Sequence, residues 1–560
     1  MTAHPGVLQK LSGAFSSKQR QNLLAAALPL AVFFLTLLFF GVRYETNDDA
    51  TLSNIAAGAY GPDSQYLIYV NFLLSWLLKP FYAVLPSLNW YVVLQLAGAL
   101  FCCFLLCRAA LQKLGCAKGA LLCLAALLGA GADLFSSFQY VKVSGLFLLT
   151  GLVLVALNLG GLRAGLWGGI ALTLAGSMLR FDNFFAVGAL SASALLLRFV
   201  KLDKSGKKRA VLSMALLFAL VFGAKGADML AYRLSPGWQD YLRYNQARTV
   251  ISDYRLQFLE DPAALSAFGY SANDYDMLNH WSYYDPEVFP TEKLEAVGAF
   301  LPGNTLRTAL KETAYIGLRF FYSGPAFLLL GLAALGWLFF SGKKSWPAAL
   351  GTLAFLGLLI FYLRWQGRMP HRVEWVLAVS AAAFLLLCYT PGRQSPGMPA
   401  LCMGLAALCL VFAPYFETLR QTTAAYPETH PPYVEDFDAM SADKEHLYLV
   451  DIELLNFIAG FDVWHARPAG YFSNIVVLGG WTSGAPFDAA ALARFGYQNP
   501  YRALSAEDER VLLADFYNLS AKEVYLREHY GFEAVRQDVK ELSLYPFRLY
   551  RLTREGGDVS

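Results

Sequence analysis

Charged residues are scarce in this chain of 560 residues. Asp, Glu, Lys and Arg make up 16% of it, whereas a soluble domain carries about 25%. Hydrophobic residues reach 56%, and the mean hydropathy is +0.40. This balance excludes an ordinary soluble domain and predicts an α-helical polytopic membrane protein. The net charge of +3 is too small to indicate a nucleic-acid-binding surface, so we expect no nucleic-acid partner.

Disulfide and metal-binding patterns are also missing. All eight cysteines lie in or beside apolar runs, so no disulfide framework is predicted for the polar regions. The seven histidines show no metal-ligand spacing, and no HExxH, Walker or GxGxxG motif occurs in a fitting context. The first apolar run lacks a small-residue cleavage site after it, which favours a retained signal-anchor.

Apolar runs predict about 11 transmembrane helices, because a span needs about 20 residues. Three basic hairpins, 108–118, 198–209 and 343–344, are separated by these runs. Cytoplasmic loops are the ones enriched in Lys and Arg, and with this number of spans all three hairpins and the N-terminus lie in the cytoplasm. The predicted spans are 23–42, 89–107, 118–135, 143–160, 164–180, 183–200, 210–231, 316–340, 345–363, 373–390 and 396–415.

The run 66–85 is the exception. An additional span there would move the hairpin 198–209 to the outside. Asn71, Ser75 and Lys79 recur every four residues, which places them on one face of a helix, and Pro80 interrupts the pattern. We therefore expect an interfacial amphipathic helix on the outer surface.

The chain divides into four regions, and the polar ones all lie outside under this topology. The region 232–315 is too long for a bare connector. Asp261-Pro262 and Ser271 look like helix starts, so this region is expected to be helical. The regions are a transmembrane module at 1–231, an extracytoplasmic loop at 232–315, further transmembrane helices at 316–415 and an extracytoplasmic α/β domain at 416–560.

The C-terminal region has a soluble composition from about residue 421 onward. Short apolar segments at 446–450 and 523–526 are predicted to be strands, and helices are predicted near 488–494 and 506–518. The alternation of these elements indicates a small α/β domain.

An acidic loop, residues 44–54, follows the first span and contains Glu45, Asn47, Asp48 and Asp49. Charge at the mouth of a transmembrane helix is costly and commonly functional. One of these residues could simply cap a helix that begins near Ala50, but a cap needs only one of them. Asp48 and Asp49 are therefore the catalytic candidates, with Glu45 and Asn47 supporting. Asp48 is favoured as the base because Asp49 lies closer to the expected helix and is the better candidate for a capping role.

Basic residues gather on the same side as the acidic loop. Arg364, Arg368 and Arg372 are four residues apart, and Lys142 and Arg180 each lie at the outer end of a span. Outer loops are normally poor in Lys and Arg, so these residues are interpreted as a phosphate-binding set, although anchoring to lipid headgroups is an alternative. Further supporting candidates are Gln139, Tyr140, His371 and Asp182, the last of which would pair with Arg180.

A carboxylate facing several arginines suits the transfer of a sugar from a polyprenyl phosphate. The carboxylate takes the proton of the acceptor hydroxyl, while arginines bind the departing phosphate bidentately and stabilise its charge. A monophosphate donor requires no metal. A pyrophosphate donor would recruit Mg²⁺ or Mn²⁺ to the paired aspartates.

A first span followed by an acidic outer loop and an in-plane helix resembles the GT-C superfamily of membrane glycosyltransferases. The resemblance covers about the first 230 residues and continues in the later outer arginines. It implies a GT-C-like fold, a polyprenyl-phosphate-linked sugar as donor and an acidic catalytic residue at Asp48 or Asp49. The expected protein is an inverting glycosyltransferase of the bacterial cytoplasmic membrane that acts on a cell-envelope acceptor. The C-terminal region lacks a WWD-type motif, which disfavours protein N-glycosylation.

Two other classes remain open at this stage. A flippase or other transporter of lipid-linked sugars would place ionisable groups at mid-membrane and show repeated halves. A non-catalytic envelope-assembly protein would share the topology but would not need the acidic loop. The concentration of charge at one surface favours the enzyme.

The predicted sidedness is tested by thiol labelling in intact cells. A cysteine introduced at Ser205, in a basic hairpin, should resist a membrane-impermeant maleimide, because cytoplasmic loops are shielded. A cysteine at Ser271, in the loop 232–315, should react. The reverse pattern would overturn the topology, and permeabilised cells, in which both sites should react, provide the control.

Overall fold

The computed structural model describes residues 17–61, 64–319, 325–390 and 432–554. Helices dominate the part before residue 390, and two strands of two residues each, β1 (Arg43–Tyr44) and β2 (Ser137–Phe138), interrupt them. In chain order the helices are α1 (Ser17–Phe40), α2 (Asn47–Ala56), α3 (Phe72–Trp76), α4 (Lys79–Val84), α5 (Trp90–Leu114), α6 (Cys116–Ser136, with a π-helical turn at Leu127–Gly131), α7 (Tyr140–Asn158), α8 (Ala164–Leu179), α9 (Phe181–Phe199), α10 (Lys204–Leu234), α11 (Trp238–Thr249), α12 (Ala272–Asn279), α13 (Thr291–Phe300), α14 (Leu306–Arg319), α15 (Pro325–Phe340), α16 (Trp346–Gln366) and α17 (His371–Cys388).

The predicted spans from 23–42 to 373–390 each overlap a helix, and the predicted span 316–340 overlaps both the end of α14 and α15. The predicted span 396–415 lies outside the described residues. Within the described part, seven helices are long and apolar enough to cross a membrane, whereas α8 and α15 are apolar but shorter. The chain is thus a multi-pass membrane protein, as its composition indicates.

The run 66–85 forms two short helices, α3 and α4, instead of one long helix. Neither is long enough to cross a bilayer. The side chains of Asn71 and Ser75 are buried, and the Asn71 amide donates to the carbonyl of Ala224. Trp76, Leu77 and Val84 are exposed. The polar face therefore contacts the protein and the apolar face points away from it.

Glycine allows α7 and α8 to pack backbone against backbone. A Cβ atom on Gly151 would lie 2.7 Å from the carbonyl oxygen of Gly169, and a Cβ on Gly169 would lie 2.7 Å from that of Gly151. Small residues at such interfaces replace side-chain packing by close backbone contact. α7 lies in the buried centre of the bundle, since it has the highest proportion of buried residues among the seven spans, and α8 packs on it.

The acidic loop is folded against the ends of the bundle helices. β1 pairs in parallel with β2, and the Glu45 amide donates to the Phe138 carbonyl at 3.0 Å. The hydroxyls of Tyr44 and Ser53 are 3.0 Å apart, and the Asn89 amide donates to the Tyr44 hydroxyl at 2.7 Å. The loop is held by the starts of α5 and α7 and is not a free connector.

The loop between α10 and α14 is helical, as predicted. The Asp261 side chain accepts a hydrogen bond from the Ala263 amide at the start of a short 3₁₀ helix, Pro262–Phe268. Ser271 and Asp274 form a capping box at the start of α12. Both predicted helix starts are confirmed because capping depends on residues within one turn.

Residues 432–554 contain a five-stranded sheet with helices on both faces. β3 to β5 are parallel, β7 is antiparallel to β5, β6 is antiparallel to β7, and the order is β4-β3-β5-β7-β6. The elements are α18 (Pro432–Ala442), β3 (Leu447–Val450), α19 (Ile452–Asn456), β4 (Ile475–Val477), α20 (Pro486–Arg494), α21 (Pro500–Leu504), β5 (Val511–Asp515), α22 (Leu519–Tyr530), β6 (Ala534–Glu541) and β7 (Arg548–Arg554).

Two predicted elements of this unit are wrong. The segment 523–526 is part of α22, where the buried Lys522 binds Asp451 and Asp515 at the ends of two neighbouring strands. The segment 506–518 contains β5, a fully buried strand in the middle of the sheet. A short apolar run does not distinguish a buried strand from a helix by its periodicity.

Alternate residues of the sheet enter two different apolar cores. Tyr448, Val450 and Leu512 join the core that continues into the membrane helices, whereas Leu447, Leu449 and Leu513 join a second core with α12 and α22. Successive side chains of a strand point to opposite faces, so one face of the sheet rests on the helical bundle.

The contact between α7 and α8 predicts unequal effects of two neighbouring substitutions. Gly169→Val should lower stability by about 1–3 kcal/mol, because the added atoms overlap the backbone of α7. Gly168→Val is the matched control, since a Cβ at Gly168 meets no atom within 4 Å. Thermal unfolding of the detergent-solubilised variants, monitored by size-exclusion chromatography after heating, measures the difference in melting temperature. Equal melting temperatures would contradict the packing.

Candidate active site

Asp48 lies where the helical bundle, the acidic loop and the C-terminal unit meet. Its Oδ2 is 3.2 Å from Nη2 of Arg372 on α17, and its Oδ1 accepts a hydrogen bond of 3.0 Å from Nε1 of Trp481. The Asp48 side chain is 18% exposed. It is therefore a paired carboxylate that small molecules can reach.

Asp49 faces a different direction and is completely buried. Its Oδ1 accepts hydrogen bonds from the Tyr91 hydroxyl at 3.1 Å and from the Tyr140 amide at 3.0 Å. Burial raises the pKa of the Asp49 carboxyl well above its usual range, and the nearby Asp48 raises it further.

The prediction that Asp49 caps the helix of the acidic loop is wrong. The helix begins at Asn47, its cap position is Thr46, and Asp49 lies inside the first turn. The carboxylate instead accepts a hydrogen bond from the first amide of α7. Asn47 donates to the side chain of Asn456 at 2.8 Å and so joins the acidic loop to the C-terminal unit.

Lys142 is enclosed in an internal ion-pair cluster. Its Nζ lies 2.5 Å from Glu45 Oε2 and 2.8 Å from Asp133 Oδ2, and His371 Nε2 is 3.5 Å from the same Asp133 oxygen. The Lys142 side chain is fully buried. This environment does not fit the predicted role of Lys142 as a phosphate ligand, because Glu45 and Asp133 already neutralise its charge.

The three arginines predicted as a set lie on a bend between α16 and α17, where Gly367 has a left-handed φ of +86°. Each is paired with a different carboxylate: Arg364 Nη2 lies 3.4 Å from Glu374 Oε1, Arg368 Nη1 lies 2.5 Å from Asp253 Oδ1, and Arg372 pairs with Asp48.

Tyr69 forms a wall of the site beside Asp48. Its ring centroid is 5.2 Å from that of Trp481, and the guanidinium of Arg180 lies 5.3 Å from its ring. Burial raises the pKa of the Tyr69 hydroxyl, and the charged groups that act on it are Arg248, Asp48, Arg180 and Asp253. Arg180 also donates to the Tyr140 hydroxyl and forms the predicted ion pair with Asp182 at 2.8 Å.

Arg248, at the end of α11, is a site residue that the sequence did not reveal. Its side chain is 2% exposed and lies 5.5 Å from the Trp281 ring. Its Nη1 lies 3.7 Å from Asp253 Oδ2, and neither Nη1 nor the Ser252 and Tyr283 hydroxyls make a hydrogen bond of good geometry among the described residues. Buried polar groups normally have hydrogen-bond partners, so these groups retain the capacity to bind a polar ligand or ordered water.

Unusual backbone conformations surround Arg248 and Tyr69. Ile68, next to Tyr69, has φ +65°, and Trp281 has φ +59°. Such conformations are uncommon outside glycine and cluster at functional sites. A Cβ on Gly479 would collide with the Trp281 carbonyl, so the Gly479-Gly480-Trp481 sequence is the local signal that marks this close contact.

The paired aspartates do not converge on a common metal position. Asp48 and Asp49 turn to different partners, and the Gln139 side chain, predicted to support the site, accepts a hydrogen bond from the Val141 amide at 2.6 Å. Among the described residues, Asp274, Glu528 and His529 could together hold a metal ion. Asp274 Oδ1 already lies 2.7 Å from His529 Nε2, and both residues belong to the contact between α12 and α22.

No family model and no curated protein matches the sequence. Among solved structures, the fold is similar to the crystal structure of ArnT from Cupriavidus metallidurans in the apo state. The alignment covers 96% of this chain and 98% of that one, at 14% identity and a TM-score of 0.39. At this TM-score the two folds differ too much for the likeness to support an inference about function.

The cluster around Lys142 predicts a structural effect of its removal. Lys142→Met should destabilise the protein by about 3–5 kcal/mol, because Glu45 and Asp133 would remain buried without their cation. Arg243→Met is the control: Arg243 pairs with Glu292 at 2.8 Å, both side chains are more than half exposed, and such pairs contribute little to stability. Melting temperatures in detergent measure both effects. A stable Lys142→Met protein that loses affinity for a polyprenyl phosphate would restore the phosphate-binding role.

Proposed function

We propose that this protein is an inverting glycosyltransferase that moves a sugar from a polyprenyl-phosphate-linked donor to an acceptor of the bacterial cell envelope. The observation that carries the proposal is the position of Asp48: a reachable carboxylate paired with Arg372, at the end of an apolar helical bundle. Arg180 and Arg248 act on Tyr69, as Asp48 does. A base for the acceptor and cations for the leaving phosphate are the two requirements of this reaction.

Asp48 acts as the base. Trp481 and Arg372 each hold one of its oxygens, which fixes the direction of the carboxylate before the substrate binds. An acceptor hydroxyl that reaches Asp48 gives up its proton as it attacks the anomeric carbon from the side opposite the phosphate. Attack from that side inverts the configuration of the sugar.

Arginines bind the donor phosphate. Arg372 and Arg368 remain candidates from the predicted set, and Arg248 and Arg180 flank Tyr69 next to Asp48. Nη1 of Arg248 lies 3.7 Å from Asp253 Oδ2 and makes no hydrogen bond among the described residues, so it has a donor to offer to a phosphate. A monophosphate needs no metal here, because guanidinium groups match its geometry and charge. A pyrophosphate donor would be the case in which Mg²⁺ or Mn²⁺ is required.

The site lies on the outer face of the cytoplasmic membrane in this proposal. The basic hairpins favour a cytoplasmic N-terminus, and the acidic loop, the loop 232–315 and the C-terminal unit then lie outside. The aromatic side chains of Tyr69, Trp281 and Trp481 provide faces on which sugar rings stack. A glycan, a lipid-linked glycan or a protein would be the acceptor.

Exchange of the two aspartates for asparagine tests the proposal. Asp48→Asn retains hydrogen bonding but removes proton acceptance, so transfer should fall at least about 100-fold. Asp49→Asn is the matched control, because an amide oxygen also accepts from the Tyr91 hydroxyl and the Tyr140 amide. The rates are measured with purified protein and a panel of polyprenyl-phosphate-linked hexoses and pentoses.

Binding of the same donors to Asp48→Asn should be unchanged, since the arginines remain. If both variants transfer sugar at the wild-type rate, Asp48 is not the base. If the wild-type protein transfers none of the sugars but moves the lipid across liposome membranes, the protein is a transporter.

A further inference from the structure

Three exposed aromatic side chains lie at one corner of the five-stranded sheet. Phe516 and Tyr517 follow β5 directly, and Tyr545 lies in the turn between β6 and β7; they are 48%, 64% and 79% exposed. Asp515 at the end of β5 lies opposite Arg548 at the start of β7, so the two segments meet at the same end of the sheet. We call these three residues the aromatic corner. Large apolar side chains exposed together mark an interaction surface.

Ring contacts connect the aromatic corner to the acidic loop. The rings of Phe516 and Phe547 are 6.3 Å apart, and those of Phe547 and Phe457 are also 6.3 Å apart. Asn456, the neighbour of Phe457, accepts the hydrogen bond from Asn47 at the start of α2. Since α1 ends at Phe40, the corner lies close to the level at which the first membrane helix ends.

A second set of contacts also places the C-terminal unit at the ends of the membrane helices. The backbone amide of Ala466 donates to the Ser87 carbonyl, and the backbone amide of Asn89 donates to the Trp464 carbonyl, both at 2.9 Å. Trp90 is the first residue of α5, another membrane-spanning candidate. The segment 456–466 therefore runs across the ends of two membrane helices, with the aromatic corner beside it.

The outer surface of α3 and α4 is apolar, like the aromatic corner. Trp76, Leu77 and Val84 are exposed while the polar Asn71 and Ser75 are buried against the protein. An apolar face directed away from the protein at the end of a membrane bundle suits contact with lipid. Leu88, which follows α4, forms a β-bridge with His465, so this face adjoins the segment 456–466.

We propose that the aromatic corner is a membrane anchor, which inserts Phe516, Tyr517 and Tyr545 into the headgroup–glycerol interface of the leaflet on which α2 lies. Tyrosine suits this position because its ring enters the apolar boundary while its hydroxyl stays among the polar headgroups. The anchor holds the sheet down on the bundle and so keeps Trp481 on Asp48. The proposal depends on the membrane assignment of the bundle and not on sugar transfer.

Fluorescence quenching in phosphatidylcholine liposomes tests the anchor with the full chain. A coumarin amino acid replaces Tyr545 in one protein and Val535 in another. Val535 is the matched control: it is exposed on the same hairpin and lies opposite Thr553, at the far end of β6. Six residues of strand separate it from the turn by about 20 Å. Phosphatidylcholine carrying a nitroxide near the headgroup quenches labels in the interface, and iodide quenches labels in water.

The ratio of nitroxide to iodide quenching should be several-fold higher at position 545 than at position 535. Equal ratios, or faster iodide quenching at 545, would show that the aromatic corner lies in water and would overturn the anchor. Because the measurement involves no sugar and no turnover, this outcome would leave the proposed reaction untouched, and absence of sugar transfer would leave the anchor untouched.

Discussion

The pairing of Asp48 with Arg372 and Trp481 is the contact on which the site depends. It brings together α2 in the acidic loop, α17 in the middle of the bundle and the turn after β4 in the C-terminal unit. A partly buried carboxylate is unfavourable without such partners. The site therefore forms only when all three parts are in place, which ties the position of the candidate base to the completed fold.

Charge compensation explains how several arginines lie in one region of the protein without repelling each other. Arg364, Arg368, Arg372 and Arg180 each have their own acidic partner. An incoming phosphate must compete with those partners, which limits its net gain. Arg248 differs in degree, because its Nη1 lies 3.7 Å from Asp253 Oδ2, beyond hydrogen-bond distance, and its side chain is already removed from water. Much of the desolvation cost of binding an anion there was met on folding, which favours Arg248 as the first phosphate contact in the proposed reaction.

Local signals in the sequence predicted the parts of the fold that depend on neighbouring residues. The apolar runs located the membrane helices, and Asp261 and Ser271 marked helix starts that are confirmed. Contacts between distant residues were not predictable. Trp481 donates to Asp48 across 433 positions of the sequence. In the sequence, the position of Lys142 at a helix start is that of a headgroup anchor, and only the fold shows that Asp133 and Glu45 enclose it. Arg248 lies on a helix of polar composition, where nothing local distinguishes it from a surface arginine.

The two adjacent aspartates have different tasks because a helix turns between them. Successive residues of an α-helix point about 100° apart, so Asp49 faces Tyr91 and the first amide of α7 while Asp48 faces Arg372 and the open site. Burial favours the protonated form of Asp49, and a neutral neighbour spares Asp48 the repulsion of a second charge at close range. The acidic loop thus supplies one accessible carboxylate, the candidate base, and one buried carboxylate that fastens the loop to the bundle.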